Sequence, residues 1–336
     1  MKRVLVYAPS NRFLQEASLR LRLLALVEPM KKRGFEWTVE VRPKLPWGRA
    51  ALAWRARRFD AVILQRKWLD PFEARLLRRS GARVVMDIDD ATMFHETRLG
   101  IVARFRLERR VRATMNVLDA VSAGNTYLGD IFTEKAAARA LPLGVHIIPT
   151  TVNPAEYPVK VHQQTAAPRL VWLGSASTLK YLAQSFDALA TAARCVPGLA
   201  LTVICDKAPE TVPIPVEFVP WSLENEKKAL LNGDIGIAPT PRDRWTLGKC
   251  GFKIVQYLAA GLPVIASPVG VNGSIAEGAG ILAESPEQWR EAIVRLSGDV
   301  ALRRDFGALG RKRIEEAFCI ERAADLWSEV LRKVAG

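Results

Sequence analysis

Continuous apolar runs alternate with amphipathic stretches along most of the chain. In the first half the runs lie at 4–8, 61–64, 84–88 and 117–121, and each ends at a polar loop. Segments of helical period follow at about 15–32, 71–79, 98–115 and 125–139. A strand covered on both faces by crossover helices reads as an unbroken apolar run instead of strict alternation. The pattern therefore predicts an α/β domain built on a doubly wound parallel sheet.

Near Pro149 the pattern breaks. The stretch NPAEYPVKVHQQTAAPR carries Pro154, Pro158 and Pro168 and reads as a linker. Alternation then restarts, with strands predicted at 169–173, 200–205, 216–219, 235–238 and 263–267, and helices near 180–194, 223–232 and 252–260. The tail, 286–334, reads as three helices, with Asp299 as a cap for the one running towards Phe318. Two Rossmann-like domains are expected, 1–155 and 156–318, facing each other across a cleft. A C-terminal helix, 319–336, is expected to pack back towards the first domain. Ligands of such sheets sit beyond the carboxyl ends of the strands. The informative loops are thus those after Ala8, Leu64, Ile88, Leu173 and Ala238, together with the helix start near Gly251.

Composition narrows the class. With 336 residues, 49% hydrophobic and 25% charged, the chain is globular and long enough for two cores. The opening MKRVLVYAPS has too few apolar residues for a signal core and reads as a buried first strand. Cys195, Cys205, Cys250 and Cys319 lack zinc spacing and fit a reducing cytoplasm. The net charge of +14 is uneven: residues 1–157 hold 28 Lys and Arg against 16 Asp and Glu. Arginine clusters at 55–58, 75–79 and 104–112 make this half attractive to anions, such as a phospholipid surface or an anionic acceptor, unless they merely solvate it.

The strongest chemical signal is DIGIAPTPRDRWTLGKCGFKIVQYLAAGLPVIASPVGVN, residues 234–272. A strand ends at Pro239, a polar loop follows, and Lys249-Cys250-Gly251-Phe252-Lys253 opens a helix. A helix N-terminus offers free N–H groups and the positive end of the dipole, and Lys249 and Lys253 add full charge. Such a mouth suits a diphosphate; an ordinary strand–helix–strand unit with exposed lysines is the plain alternative.

This stretch resembles the donor-binding core of the retaining GT-B glycosyltransferases of family 4, the glycosyl transferases group 1. Its KCGFKxxQYxAxGxPVxASPVGxN pattern is similar to a bacterial subgroup of surface-polysaccharide pathways. Asp87-Ile88-Asp89-Asp90-Ala91 resembles that subgroup's D-x-D-D-A element, Ile148–Asn153 its interdomain turn, and Trp172-Leu173-Gly174-Ser175 the opening of its second domain. The resemblance implies a nucleotide-sugar donor on Gly174, Ser175, Lys180, Lys249, Gly251, Phe252, Lys253 and Gln256. Gln256 stands where the family has a glutamate for the ribose, and Gly248 where it has another for the sugar, which leaves Asp243 or backbone amides as candidates for the sugar. Ser175 replaces the usual phosphate arginine, and Pro9-Ser10-Asn11-Arg12 the usual Gly-Gly loop.

The implied reaction needs no metal, no cofactor and no protein nucleophile: the nucleoside diphosphate departs as an acceptor hydroxyl attacks the same face. Lys253 would stabilise the leaving charge, and Asp89 and Asp90 would position the acceptor, although either can instead cap the next helix. Asn11, Arg12, Arg66 and His95 are further acceptor-side candidates. The expected acceptor is a glycan or lipid-linked saccharide at the inner face of the cell membrane. Alternatives remain: a nucleotide-sugar epimerase of the same fold, a basic membrane-surface or nucleic-acid binding protein, or a non-catalytic relative. No nucleic-acid platform is legible.

Overall fold

The computed structural model describes residues 1–11, 16–94 and 100–336, with the side chain of Ile101 also outside the description. Arg12 and His95 therefore lie outside the described residues. Contacts divide the chain into unit 1, Met1–Thr150 with Leu247–Cys250 and Ile320–Gly336, and unit 2, Thr151–Thr246 with Gly251–Cys319.

In unit 1 the strands are β1 Lys2–Ala8, β2 Phe35–Val41, β3 Ala61–Gln65, β4 Arg83–Ile88, β5 Ala120–Ala123 and β6 Gly144–Ile147. The helices are α1 Ala17–Arg22, α2 Val27–Lys32, α3 Pro46–Arg55, α4 Pro71–Ser80, α5 Ile101–Met115 and α6 Thr126–Ala137. The sheet is parallel throughout, in the order β2-β1-β3-β4-β5-β6.

Unit 2 carries β7 Arg169–Leu173, β8 Ala200–Cys205, β9 Val216–Pro220, β10 Ile235–Ala238, β11 Val264–Ala266 and β12 Gly280–Leu282 in the order β12-β11-β10-β7-β8-β9, again parallel. Its helices are α7 Leu179–Leu182, α8 Phe186–Cys195, α9 Leu223–Leu230, α10 Arg244–Leu247, α11 Phe252–Ala259, α12 Asn272–Ala276, α13 Pro286–Gly298 and α14 Val300–Ala317; α15, Ile320–Ala335, returns to unit 1.

Doubly wound α/β architecture is what the apolar runs predict. The elements differ in detail. The helical period at 15–32 resolves into α1, a 3-10 turn at Leu24–Leu26 and α2. Pro29 lacks an N–H and crowds the preceding turn, so one continuous helix cannot form there. The apolar run at 117–121 is entered late, at Ala120, because Asp119 spends its carboxylate on the Val84 N–H, 2.8 Å away. The tail forms three helices, and Asp299 Oδ1 accepts from the Leu302 N–H at 2.8 Å, capping α14.

Each sheet has a dry core. In unit 1, Leu19, Leu23, Leu26 and Met30 join Trp327 and Leu331 of α15 over β1 and β3. The Trp327 ring meets Trp37 edge-on at 5.6 Å. In unit 2, α11 is buried along most of its length among Val171, Leu173, Ala238 and Val264.

Candidate functional site

Two clusters of chemistry-bearing residues form at the carboxyl ends of the strands, one in each unit. In unit 1, β4 runs into Asp87-Ile88-Asp89-Asp90. Asp87 is wholly buried and accepts from Arg22 Nη2 at 2.7 Å and Nε at 3.2 Å, and from Ser122 Oγ at 3.0 Å. Arg22 also donates to the Ile148 carbonyl at 2.8 Å and to Thr150 Oγ1 at 3.3 Å. Burial pushes the Asp87 carboxyl up and the Arg22 guanidinium opposes it. This pair fixes the ends of β4 and β5 and the segment after β6, which makes it a scaffold for its neighbours.

Asp89 and Asp90 face a second arginine. Arg66, just past β3, has φ of +49°, a left-handed conformation that costs a side-chain-bearing residue energy. The conformation presents its guanidinium to three carboxylates: Nε lies 3.5 Å from Asp89 Oδ1, Nη1 3.3 Å from Asp90 Oδ2 and Nη2 3.2 Å from Glu16 Oε2. Lys249 Nζ stands 3.5 Å from Asp90 Oδ1. Burial raises the Asp90 carboxyl above its ordinary value, Asp89 adds to this, and Lys249 and Arg66 offset only part of it. A carboxylate with enhanced proton affinity at a sheet's carboxyl edge has the character of a general base.

Lys249 owes its place to a tetrapeptide that docks on unit 1. Gly248 sits against Ala91, where a Cβ would collide. The Lys249 carbonyl accepts from Asn125 Nδ2 at 3.1 Å. Cys250 Sγ donates to the Asp89 carbonyl at 3.2 Å and fills the space above Gly124. Burial holds the Cys250 thiol protonated, well above its usual range. Arg22, Glu16, Gly124 and Cys250 were not singled out from the sequence as site residues. Asn11 is exposed beside this cluster's chain, one residue beyond Ser10, whose hydroxyl donates to Glu16.

In unit 2 the centre is the start of α11. Gly251 precedes it with φ of +59°, and a Cβ there would strike Ile275. Having no side chain, this N-cap leaves the first-turn N–H groups to other partners. Lys253, in that first turn, holds its ammonium 4.5 Å from the centroid of the Trp172 ring. Trp172 is fully buried at the end of β7. The same ring excludes any side chain at Gly174, so Gly174 and Lys253 share one aromatic neighbour. Tyr257 locks the helix to the sheet, accepting from the Leu173 N–H at 2.8 Å and donating to the Ile237 carbonyl at 3.2 Å. Phe252 packs on the core beneath.

The remaining predicted residues fall as follows. Ser175 caps the turn after β7 together with Thr178, and the Ala176 N–H is taken by Asp206 Oδ1 at 2.6 Å. Lys180 is exposed, its ammonium 5.5 Å from the Tyr181 ring. Gln256 is buried and donates to Tyr157 Oη at 3.2 Å; a neutral amide tolerates that enclosure where a carboxylate would need a cation. Asp243 caps α10, its Oδ1 accepting from the Thr246 N–H at 2.7 Å. Lys249 and Lys253, four residues apart, thus serve different partners: Asp90 in unit 1 and Trp172 in unit 2.

Residues 167–299 match the family model for glycosyl transferases group 1. The match begins just before β7 and ends after α13, so the unit 2 cluster lies within the matched residues. Solved structures share the fold over the whole chain. Sucrose-phosphate synthase from Thermosynechococcus elongatus is 15% identical with a TM-score of 0.71, covering 99% of each chain. HepE from Anabaena, in complex with UDP and glucose, is 14% identical with a TM-score of 0.72, covering 99% of this chain and 100% of its own. The α,α-trehalose 6-phosphate synthase from Burkholderia multivorans is 12% identical with a TM-score of 0.66, covering 99% of this chain and 98% of its own. At such identities the likeness is one of fold, the two-domain α/β architecture of GT-B glycosyltransferases. A comparison with curated proteins finds no match.

Proposed function

We propose that the protein transfers a sugar, with retention of anomeric configuration, from a nucleoside-diphosphate sugar to a hydroxyl of a glycan or lipid-linked saccharide. The observation that carries this reading is Lys253 held over Trp172 at the glycine-capped start of α11, inside the matched domain. The bond from the anomeric carbon to the diphosphate oxygen breaks, and its electron pair leaves with the diphosphate. The first-turn N–H groups and the Lys253 ammonium stabilise that growing charge, and they are positioned beforehand by Tyr257, Trp172 and Gly251. The acceptor oxygen bonds the same carbon from the same face. Its proton passes to Asp90, whose raised proton affinity suits the task, or to the departing diphosphate. HepE, a relative in fold, is described with UDP-glucose, which supports a nucleotide-sugar donor here. The D-x-D-D-A resemblance supports a role in surface-polysaccharide assembly on the cytoplasmic side.

A thermal-shift panel of UDP, GDP, dTDP, CMP and ADP tests the donor assignment. A ligand that binds only the native state raises the midpoint with its concentration. At least one diphosphate is expected to stabilise the wild type and to lose that effect in Lys253→Ala. If no nucleoside diphosphate shifts the midpoint at any concentration, the donor reading is wrong.

A further inference from the structure

The arginine-rich half of the chain carries a second feature that the transfer chemistry does not use. Helices α3, α4 and α5 pack side by side in unit 1. They connect parallel strands, so they run in the same sense and begin near the carboxyl ends of those strands. Each exposes a large aromatic side chain within its first five residues: Trp47, Phe72 and Phe105, which are 71%, 59% and 66% exposed. Trp54, on the outer face of α3, is 62% exposed and stacks under the Arg57 guanidinium at 3.6 Å. Burying such rings in this chain's own core was available to folding, since Trp172 and Trp327 are fully buried.

The charge within these helical segments is one-sided, and among the described residues only Arg49 and Arg55 of their arginines pair with acids from neighbouring segments, Asp70 and Glu40. The segments 46–58, 71–80 and 101–115 contain 12 arginines, no lysine and two glutamates. One of the glutamates, Glu73, is buried against Arg42, so Glu108 is the only acid these segments expose. Along α4, Phe72, Arg75 and Arg79 follow at helical spacing on one stripe; along α5, Phe105, Arg109 and Arg112 do the same. Three aromatic rings therefore stand near the starts of the helices and most guanidinium groups in the turns beyond, with Trp54 at the far end of α3 beneath Arg57.

This two-tier pattern matches the chemistry of a lipid headgroup layer. Aromatic rings favour the boundary between headgroups and acyl chains, and guanidinium groups bind phosphates through two donors at once. A nucleic acid would use the arginines alone, because single-strand recognition stacks bases on a continuous aromatic platform, whereas these rings stand on three separate helices. Among the described residues no helix is long and apolar enough to cross a membrane, so the contact is peripheral. We propose that the outer face of α3, α4 and α5 docks on an anionic lipid bilayer, with its aromatic rings at the headgroup boundary and its arginines on lipid phosphates.

Flotation of the full chain with vesicles tests this, in the absence of any donor. Vesicles of phosphatidylcholine with added phosphatidylglycerol are expected to carry the wild type up, and phosphatidylcholine alone is not. Trp47→Ser/Phe72→Ser/Phe105→Ser is expected to lose binding more than tenfold. Arg75→Gln/Arg79→Gln/Arg109→Gln is expected to lose about a hundredfold, at roughly fivefold per charge near an anionic surface. All six side chains are exposed, so both variants should keep the wild-type melting midpoint and its response to nucleoside diphosphates. The proposal is overturned if the wild type ignores anionic vesicles, if the aromatic variant binds them as well as the wild type, or if duplex DNA displaces the protein from vesicles while binding is indifferent to the aromatic substitutions.

Discussion

Lys249 Nζ lies 3.5 Å from Asp90 Oδ1, and the contact only partly compensates the cost of burying that carboxylate. The folded state therefore holds the Asp90 proton more tightly than the unfolded chain does. Raised affinity in a carboxyl means that stability is lost as pH climbs from the ordinary value, 3.8, through the folded one. Removing the charge should relieve that loss at neutral pH. Asp90→Asn is expected to melt no lower than the wild type, yet to turn over at least tenfold more slowly, the usual contribution of a positioned acid or base being about a hundredfold or more. Its pH–rate profile should lack the acid limb expected of the wild type, in which the Asp90 carboxyl keeps its proton to a higher pH than an ordinary carboxyl does. An unchanged profile would move the proton's destination to the departing diphosphate.

Lys253 makes a different prediction. Its ammonium rests on the buried Trp172 indole, 4.5 Å from the ring centroid. Lys253→Ala should remove a charge that acts when the diphosphate departs, lowering turnover at least tenfold, since deleting one such stabilising group costs about 2–4 kcal/mol. The fold should survive, because Tyr257 and the buried face of α11 still hold the helix. Steady-state kinetics beside a melting curve separates the two effects, and full activity in this variant would remove Lys253 from the site.

The Arg22–Asp87 pair should behave as structure. Both side chains are buried, at 1% and 0% exposure, and five hydrogen bonds to Arg22 converge from β4, β5 and the segment after β6. Asp87→Ala would leave a guanidinium that cannot lose its proton in a dry setting, at a cost of about 3–5 kcal/mol. Denaturant unfolding followed through a unit 1 probe is the measurement. Arg22→Met/Asp87→Leu, which removes both charges, should recover much of that loss.

What the sequence disclosed and what it hid follows from the range of each interaction. Strands such as β1, β3 and β7 are buried on both faces, and their apolar runs are visible one residue at a time. The edge strand β2 alternates Phe, Trp and Val with Glu and Thr, a half-exposed signature that a search for unbroken runs passes over. Local capping was legible too, as at Asp299, because the cap and its N–H lie three residues apart. The clusters were less legible. Asp89 and Asp90 announce themselves after a strand, but nothing local reveals that Arg66 turns left-handed to meet them. Lys249 and Lys253 share one helix start in the sequence, whereas the docking of Gly248 on Ala91 and Cys250 on Gly124 carries Lys249 to Asp90. Contacts that join residues 124 positions apart leave no mark in spacing or period.

That docking yields the last prediction. An ideal Cβ on Gly124 would overlap Cys250 Sγ and come within 3.2 Å of Asp89 Cα and 3.3 Å of Arg22 Nη1. Neither of the latter can yield, since one is backbone and the other belongs to the buried ion pair. The sulfur must therefore move, and its bond to the Asp89 carbonyl goes with it. Gly124→Ala should cost about 1–3 kcal/mol as an overpacked core substitution and should displace Lys249 from Asp90. Cys250→Ala removes the obstructing atom and leaves a small void, so alone it should cost less. Combined, the new methyl group occupies the space the sulfur vacated. The double variant is then expected to be more stable than Gly124→Ala alone, with a coupling of about 0.5–3 kcal/mol between the two sites. Simple additivity in the melting data would mean that Cys250 does not fill the space above Gly124, and the placement of Lys249 beside Asp90 would fall with it.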